Sequence, residues 1–295
     1  MIAQRAAVTA LLIVTVTSAA FAEDAGLRAC REQLYTADGA TACFRALLVR
    51  NADPSVRAEA LWGLGEVQEA NQAFRVAART MPDNADIRVR WGELFLAAHQ
   101  LADAEALFTE ALNLDAGNVD ALQGLAEVAV SGFQGGAEAA VNRVLAILPG
   151  HPRANLLLAE LALESQEVAE ARALLTRVIE ASGDRLVLLR AYALQSAADH
   201  IEGRLPSEWA TRAIAMAPTY GDIFAIPAHY YVITRRYREA VELLEQAVAI
   251  DPGNYDARGE LGINLLRLNR PVDARLQLEQ AHALHGFDAR VVNTL

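Results

Sequence analysis

An apolar signature that returns about every 34 residues constrains this chain more than any other feature of its sequence. It is clearest at Leu61, Gly65, Ala70, Phe74, Ala77 and Pro82. A shift of one period lands on Phe95, His99, Ala104, Phe108, Ala111 and Ala116, which keeps the apolar positions and changes only the turn glycine and the closing proline. Later units close at Val144 and Pro149, Val178 and Gly183, Ala213 and Pro218, Ala247 and Pro252, and Ala281 and Gly286. Apolar residues spaced by three and four lie on one face of a helix, and Pro or Gly just beyond them ends it. A hairpin built this way buries one face only and is stabilised by stacking on neighbours. The repeat therefore predicts an all-α solenoid.

The spacing predicts seven hairpins over residues 51–288, with helices near 53–64 and 68–80, 86–97 and 102–114, 119–130 and 137–147, 152–164 and 168–181, 186–198 and 205–216, 221–233 and 237–249, and 255–267 and 271–284. The fifth unit is slightly long, and its extra residues near Ala198 to Arg204 are expected in the turn, where an insertion costs least. Residues 23–50 read as a degenerate N-terminal hairpin turning at Thr36 to Gly39. The only two cysteines, Cys30 and Cys43, are spaced so that each sits on one arm of that hairpin. An oxidising destination favours their pairing, and two free buried thiols are the alternative. Residues 289–295 read as the start of a further helix or a truncated tail, since solenoid ends ordinarily carry a polar cap.

The destination follows from the first residues. Met1 to Arg5 carry one positive charge, Ala6 to Ala19 are uncharged and apolar, and Ala20-Phe21-Ala22 offers a small-residue cleavage site. Residues 1–22 are thus expected to be a signal peptide removed before Glu23, placing the mature chain in the periplasm or outside the cell. Their apolar core is shorter than the roughly 20 residues of a membrane span, and no transmembrane segment is expected in the mature chain. A formal net charge of −11 disfavours nucleic acid as a partner. Every basic side chain is Arg, so Schiff-base chemistry and a phosphate-loop lysine are excluded.

Little else points to chemistry. His282 and His285 could at most share a metal that needs three or four ligands, and His99, His151, His200 and His229 are scattered. Gly132, Gly135 and Gly136 follow no strand and precede no lysine, which makes them a hairpin turn. No cofactor, metal or catalytic residue is expected.

With small residues at the eighth position of successive units (Ala58, Gly92, Ala126, Ala159, Ala228 and Gly262), large ones at the eleventh and twenty-fourth, Ala at the twenty-seventh and Pro at the thirty-second, the chain resembles the tetratricopeptide repeat family over roughly residues 24–288. The resemblance implies a right-handed superhelix whose concave groove binds proteins or peptides. Residues 286–295 also resemble the junction at which such repeats precede a zinc-peptidase-like domain of the gluzincin type. No H-E-x-x-H occurs, so no catalytic residue carries over.

The ninth position, which the resemblance places in the groove, reads Glu59, Glu93, Glu127 and Glu160 in four successive units, then Leu194, His229 and Ile263. Glu is a good helix former on any wet surface, yet four in one register suggest an acidic stretch. Glu59, Glu93, Glu127, Glu160 and His229 are accordingly the candidate partner-binding residues, and the partner is expected to bring a basic or basic-apolar segment. A row of unpaired like charges repels itself, so replacing the four Glu by Gln is expected to leave melting unchanged or slightly raised. Asp86, Asp120, Asp222 and Asp256 recur at the second position, at helix starts, and are assigned to capping and the helix dipole. Trp62 and Trp209 suit groove or core equally. The functional expectation is an exported protein- or peptide-binding scaffold. The alternatives are the N-terminal arm of a periplasmic zinc-peptidase-like enzyme and a purely structural envelope component.

Overall fold

Periodic apolar faces fold here into sixteen helices, the only regular elements among the described residues of the computed structural model, which are 24–50, 53–132, 135–284 and 294. They pair into hairpins: α1 (Ala25–Arg31) with α2 (Thr41–Arg50), α3 (Pro54–Gly63) with α4 (Val67–Thr80), α5 (Ala85–Ala97) with α6 (Leu101–Leu114), and α7 (Val119–Ser131) with α8 (Ala137–Ile147). The second half continues with α9 (Pro152–Glu164) and α10 (Val168–Ala181), α11 (Arg185–Glu202) and α12 (Glu208–Met216), α13 (Asp222–Ile233) and α14 (Tyr237–Ile250), and α15 (Tyr255–Arg267) and α16 (Pro271–Leu284). The expected signal segment lies outside the described residues, as does the expected tail apart from Thr294.

First helices of consecutive hairpins pack on one another from α3 through α15, forming the inner layer, while second helices fill the outer one. Close approach in that inner layer depends on missing side chains. The fully buried Phe108 ring of α6 lies against Gly92 of α5 and Gly124 of α7, where an added Cβ would come within 2.8 Å and 2.3 Å of it. Phe44 fills the space at Gly63 in the same way, and Leu278 the space at Gly262.

Hairpin turns place one equivalent residue in the left-handed region: Gly65, His99, Gln166, Arg235 and Asn269, with φ between 53° and 78°. Only the first is glycine. A side chain there costs about 1–2 kcal/mol, which hairpin packing evidently offsets, and this is why the turn glycine was not a constant of the repeat.

Helix starts differ from expectation. The side-chain caps are Asp24, Asp53, Asn84, Asn118, His151, Asp184 and Asn254, which accept from the first-turn amides. The second-position aspartates lie in the first turn, where the helix dipole favours them, but are not the capping side chains. Asp86 accepts from Asn118 Nδ2 at 3.3 Å and Asp222 from Asn254 Nδ2 at 2.8 Å, so each ties its helix to the cap of the following hairpin.

A second difference concerns the long fifth unit. Its extra residues extend α11 to Glu202 instead of looping out. Arg172 of α10 explains this, donating to Gln195, Asp199 and Glu202 along the extension at 2.7–3.1 Å, while Ser207 donates to Asp199 from the far side of the turn. Gly203, with φ 70°, then ends the helix. At the other end of the chain Cys30 and Cys43 are disulfide-bonded, with Cα atoms 5.3 Å apart, and join α1 to α2.

Candidate functional site

The inner face carries the four glutamates of the ninth register, but they do not form a bare acidic row. Each is paired with arginine. Glu59 receives Arg31 at 2.5 Å and the Arg90 fork at 2.5 and 2.7 Å. Arg90 also donates to Glu93, whose other oxygen accepts from Arg153 at 2.8 Å. Arg153 closes the series on Glu127 through two parallel bonds of 3.0 and 2.9 Å. Thus Arg31, Glu59, Arg90, Glu93, Arg153 and Glu127 form one neutral lattice across the inner helices from α1 to α9. Glu160 pairs separately with Arg190 of α11 at 2.7–2.8 Å.

Charge-assisted, forked hydrogen bonds of this kind are the strong ones. Burial works to raise the Glu93 carboxyl, but Arg90 and Arg153 outweigh it and hold Glu93 below the usual carboxylate range. Glu160 is the largest influence on Arg190 and pushes its guanidinium further up. The self-repulsion inferred from the register therefore does not exist, and the expectation that Gln at these positions is harmless to stability falls with it. The exposed parts of the lattice are mainly arginine: Arg31, Arg90 and Arg153 keep 27–36% of their side-chain surface, Glu59, Glu93 and Glu127 only 9–18%.

Beyond Glu160 the register loses its meaning. Leu194 is core, packed with Leu163, Leu175 and Ala197. His229 stands half-exposed, 3.9 Å from Glu164 and edge-on to Tyr230, and does not join the lattice. Ile263 packs against Leu278 and Ala281. Trp62 belongs to the inner face, with the Arg90 guanidinium 5.3 Å from its ring, whereas Trp209 packs on Tyr192 and beneath Arg212. The arginines escaped the sequence reading because Arg90, Arg153 and Arg190 occupy different positions within their units. The available signal was distance: they lie 31, 26 and 30 residues beyond Glu59, Glu127 and Glu160, close to one repeat.

A cluster of like charge does occur, at the junction of α13, α14 and α15. Burial, then the neighbouring Asp222, raise the Asp251 carboxyl to about 6, against which the Gly253 amide and Arg258 work only partly. A carboxyl raised on folding contributes its full stability below its unfolded pKa, near 4, and loses it as pH rises through 6. Asp251→Asn should therefore stabilise the chain by about 1–2 kcal/mol at pH 7.5, after discounting for partial exposure, and by nothing at pH 4. Thermal melts of both proteins at the two pH values check this. Among the described residues no group of three or more His, Cys, Asp or Glu is placed to hold a metal, and no helix is long and apolar enough to cross a membrane.

Profiles of the tetratricopeptide repeat match residues 55–121, 135–196 and 233–294, more than half of the chain. No curated protein sequence matches it. Among solved structures, the fold is similar to that in the crystal structure of the APC/C hetero-tetramer Cut9-Hcn1, at 14% identity and a TM-score of 0.52, over 89% of this chain and 52% of that one. It is also similar to the human IFIT1 dimer with m7Gppp-AAAA, at 14% identity and a TM-score of 0.51, over 82% of this chain and 63% of that one. A tetratricopeptide repeat protein from Parabacteroides merdae ATCC 43184 aligns at 16% identity with a TM-score of 0.46, over 85% of this chain and 99% of that one. Identities this low show the fold alone. The chain spans about half the length of the first of these structures and under two thirds of the second.

Proposed function

The chain belongs to the tetratricopeptide repeat family of right-handed superhelical interaction scaffolds, and from that premise we propose that it binds an extended protein segment along its inner face in an exported compartment. The observation that carries the proposal is the lattice. Six alternating charges on stacked first helices offer a protein segment a line of donors and acceptors held in place by one another, which lowers the cost of ordering them on binding. Because the arginines are the wetter members, the face suits backbone carbonyls and side-chain carboxylates first. A basic segment, the partner suggested by the glutamates alone, has to displace arginine from Glu59, Glu93 or Glu127.

Export is supported by the charged, then apolar, then Ala-Phe-Ala pattern of residues 1–22 and by a disulfide suited to an oxidising compartment. Protein recovered from the periplasm should begin at Glu23. The alternative of an arm of a zinc-peptidase-like enzyme rests on the ten residues from Gly286, which apart from Thr294 lie outside the described residues.

Peptides selected from a displayed random library on the mature chain test the binding surface. Arg190 is the residue to probe, because it pairs with Glu160 alone among the ladder glutamates and keeps 45% of its side-chain surface. A charged hydrogen bond is worth about 1.5–3 kcal/mol, so Arg190→Gln should weaken the selected peptides about tenfold or more, with weaker binding at high salt for both proteins. Trp209→Ala, on a second helix, should leave them unchanged. Peptides that lose binding with Trp209→Ala and keep it with Arg190→Gln would move the site to the outer layer.

A further inference from the structure

A ribbon of hairpins has two edges, one made of the turns within hairpins and the other of the loops between them. In this chain the two edges meet after about five hairpins, at two places. At the first, the turn of the α1–α2 hairpin reaches the region where α12 gives way to α13. Arg185, at the start of α11, donates to the Leu34 carbonyl at 2.6 Å and to the Met216 carbonyl at 2.9 Å. The Tyr35 ring stands edge-on to Tyr220 with centroids 5.1 Å apart, and the Thr219 amide donates to the Tyr35 carbonyl at 3.4 Å. At the second, the turn of the α5–α6 hairpin reaches the start of α15: the Tyr255 hydroxyl donates to the Ala97 carbonyl at 2.7 Å, and His99 Nε2 lies 2.8 Å from an Asp256 carboxylate oxygen. Tyr35 and His99 both have left-handed φ, 61° and 53°, the conformation that the other hairpin turns also use.

The two seams tie hairpins about five apart in sequence directly to one another, across the edges that flank the inner face.

We propose that the first seam is a displaceable clasp. The surface around Arg185 and Tyr220 is a receptor for a tyrosine-bearing turn, filled by the chain's own Leu34 and Tyr35, and its release uncovers the inner face for a protein segment arriving from the side. Three features support this. The contact rests on one ring, packed on the apolar cluster of Leu189, Tyr220 and Ile223, and on two hydrogen bonds to backbone carbonyls, which is the chemistry any peptide turn with an aromatic side chain can supply. The cyclic segment between Cys30 and Cys43 contains both Leu34 and Tyr35, so the turn leaves and returns as a stapled unit. The seat favours a neutral ring: burial, then Asp222 and Asp251, push the Tyr35 phenol well above its ordinary range.

The proposal goes beyond peptide binding on the inner face, and its test uses no partner, so the two stand or fall separately. Azide-bearing amino acids at the exposed positions Asp38 and Ala215, coupled to a donor and an acceptor dye, report the seam in the full mature chain with its native disulfide intact. The wild type should show a high-transfer population that a disulfide-closed peptide spanning residues 30–43 depletes when added in excess. Arg185→Ala and Tyr35→Ala should each lose that population while keeping the helical circular dichroism signal. Arg185→Ala is the deciding variant because it leaves the first hairpin unaltered. A folded Arg185→Ala chain with the wild-type transfer distribution overturns the clasp, as does a wild type that never shows high transfer.

Discussion

Glu93→Gln should destabilise the chain by about 2 kcal/mol at neutral pH. Removing one partner of a buried pair costs about 3–5 kcal/mol because the other charge is left behind, and the exposure of Arg90 and Arg153, about a third of each side chain, justifies the lower figure. Glutamine keeps the shape and one acceptor but leaves the two guanidinium groups facing each other without their shared counter-charge. The pH dependence separates this from a packing defect. A carboxyl depressed on folding stabilises the folded state above its unfolded pKa and loses that contribution as pH falls through the depressed folded value. The gap between wild type and Glu93→Gln in urea melts should therefore be full at pH 7 and close in acid, below the ordinary carboxylate range. Replacing Glu59, Glu93, Glu127 and Glu160 together should lower the midpoint further. An unchanged or raised midpoint would restore the picture of a self-repelling acidic row.

Phe108→Ala should cost about 3–5 kcal/mol, the range for emptying a fully buried aromatic site. The reciprocal change is more specific. A Cβ at Gly124 would sit 2.3 Å from the Phe108 ring, and that ring, fully buried and also against Gly92, has nowhere to withdraw. Gly124→Ala should accordingly destabilise by about 1–3 kcal/mol despite the better helix propensity of alanine. Adding Phe108→Leu to Gly124→Ala should recover part of that loss, giving a favourable coupling in a double-mutant cycle. Additive losses would mean that ring and glycine do not share the space. Each hairpin contacts mainly its neighbours, so hydrogen exchange should locate the damage in α5 to α7 and leave α13 to α16 protected.

The fourteen helices from α3 to α16 lie close to where periodicity and terminating residues put them, α9, α10, α15 and α16 have the expected bounds, and α1 and α2 form the expected degenerate N-terminal hairpin. The exception, α11, is instructive. An insertion is neutral for a solenoid whether it loops out or lengthens a helix, and the choice was made by Arg172, on another helix, finding acceptors along the extra turn. The second-position aspartates show the same limit: a sequence places them at a helix start, but only the stacked neighbour shows that Asp86 and Asp222 hold the next cap.

What the sequence determined by itself is what the apolar pattern records: helix positions, the small residues where helices cross, the order of hairpins, and Cys30 and Cys43 on the two arms of one hairpin, whose bond the structure then shows. These rest on side chains that share a helix face or a single turn, so their spacing along the chain is also their spacing in space. The tertiary structure alone decided the charge of the inner face and which distant hairpins touch. Glu93 meets Arg153 across 60 residues, Leu34 meets Arg185 across 151, and Ala97 meets Tyr255 across 158. Those meetings depend on the small rotation between neighbouring hairpins summed over two to five of them, and a local pattern of apolar residues carries no record of that sum.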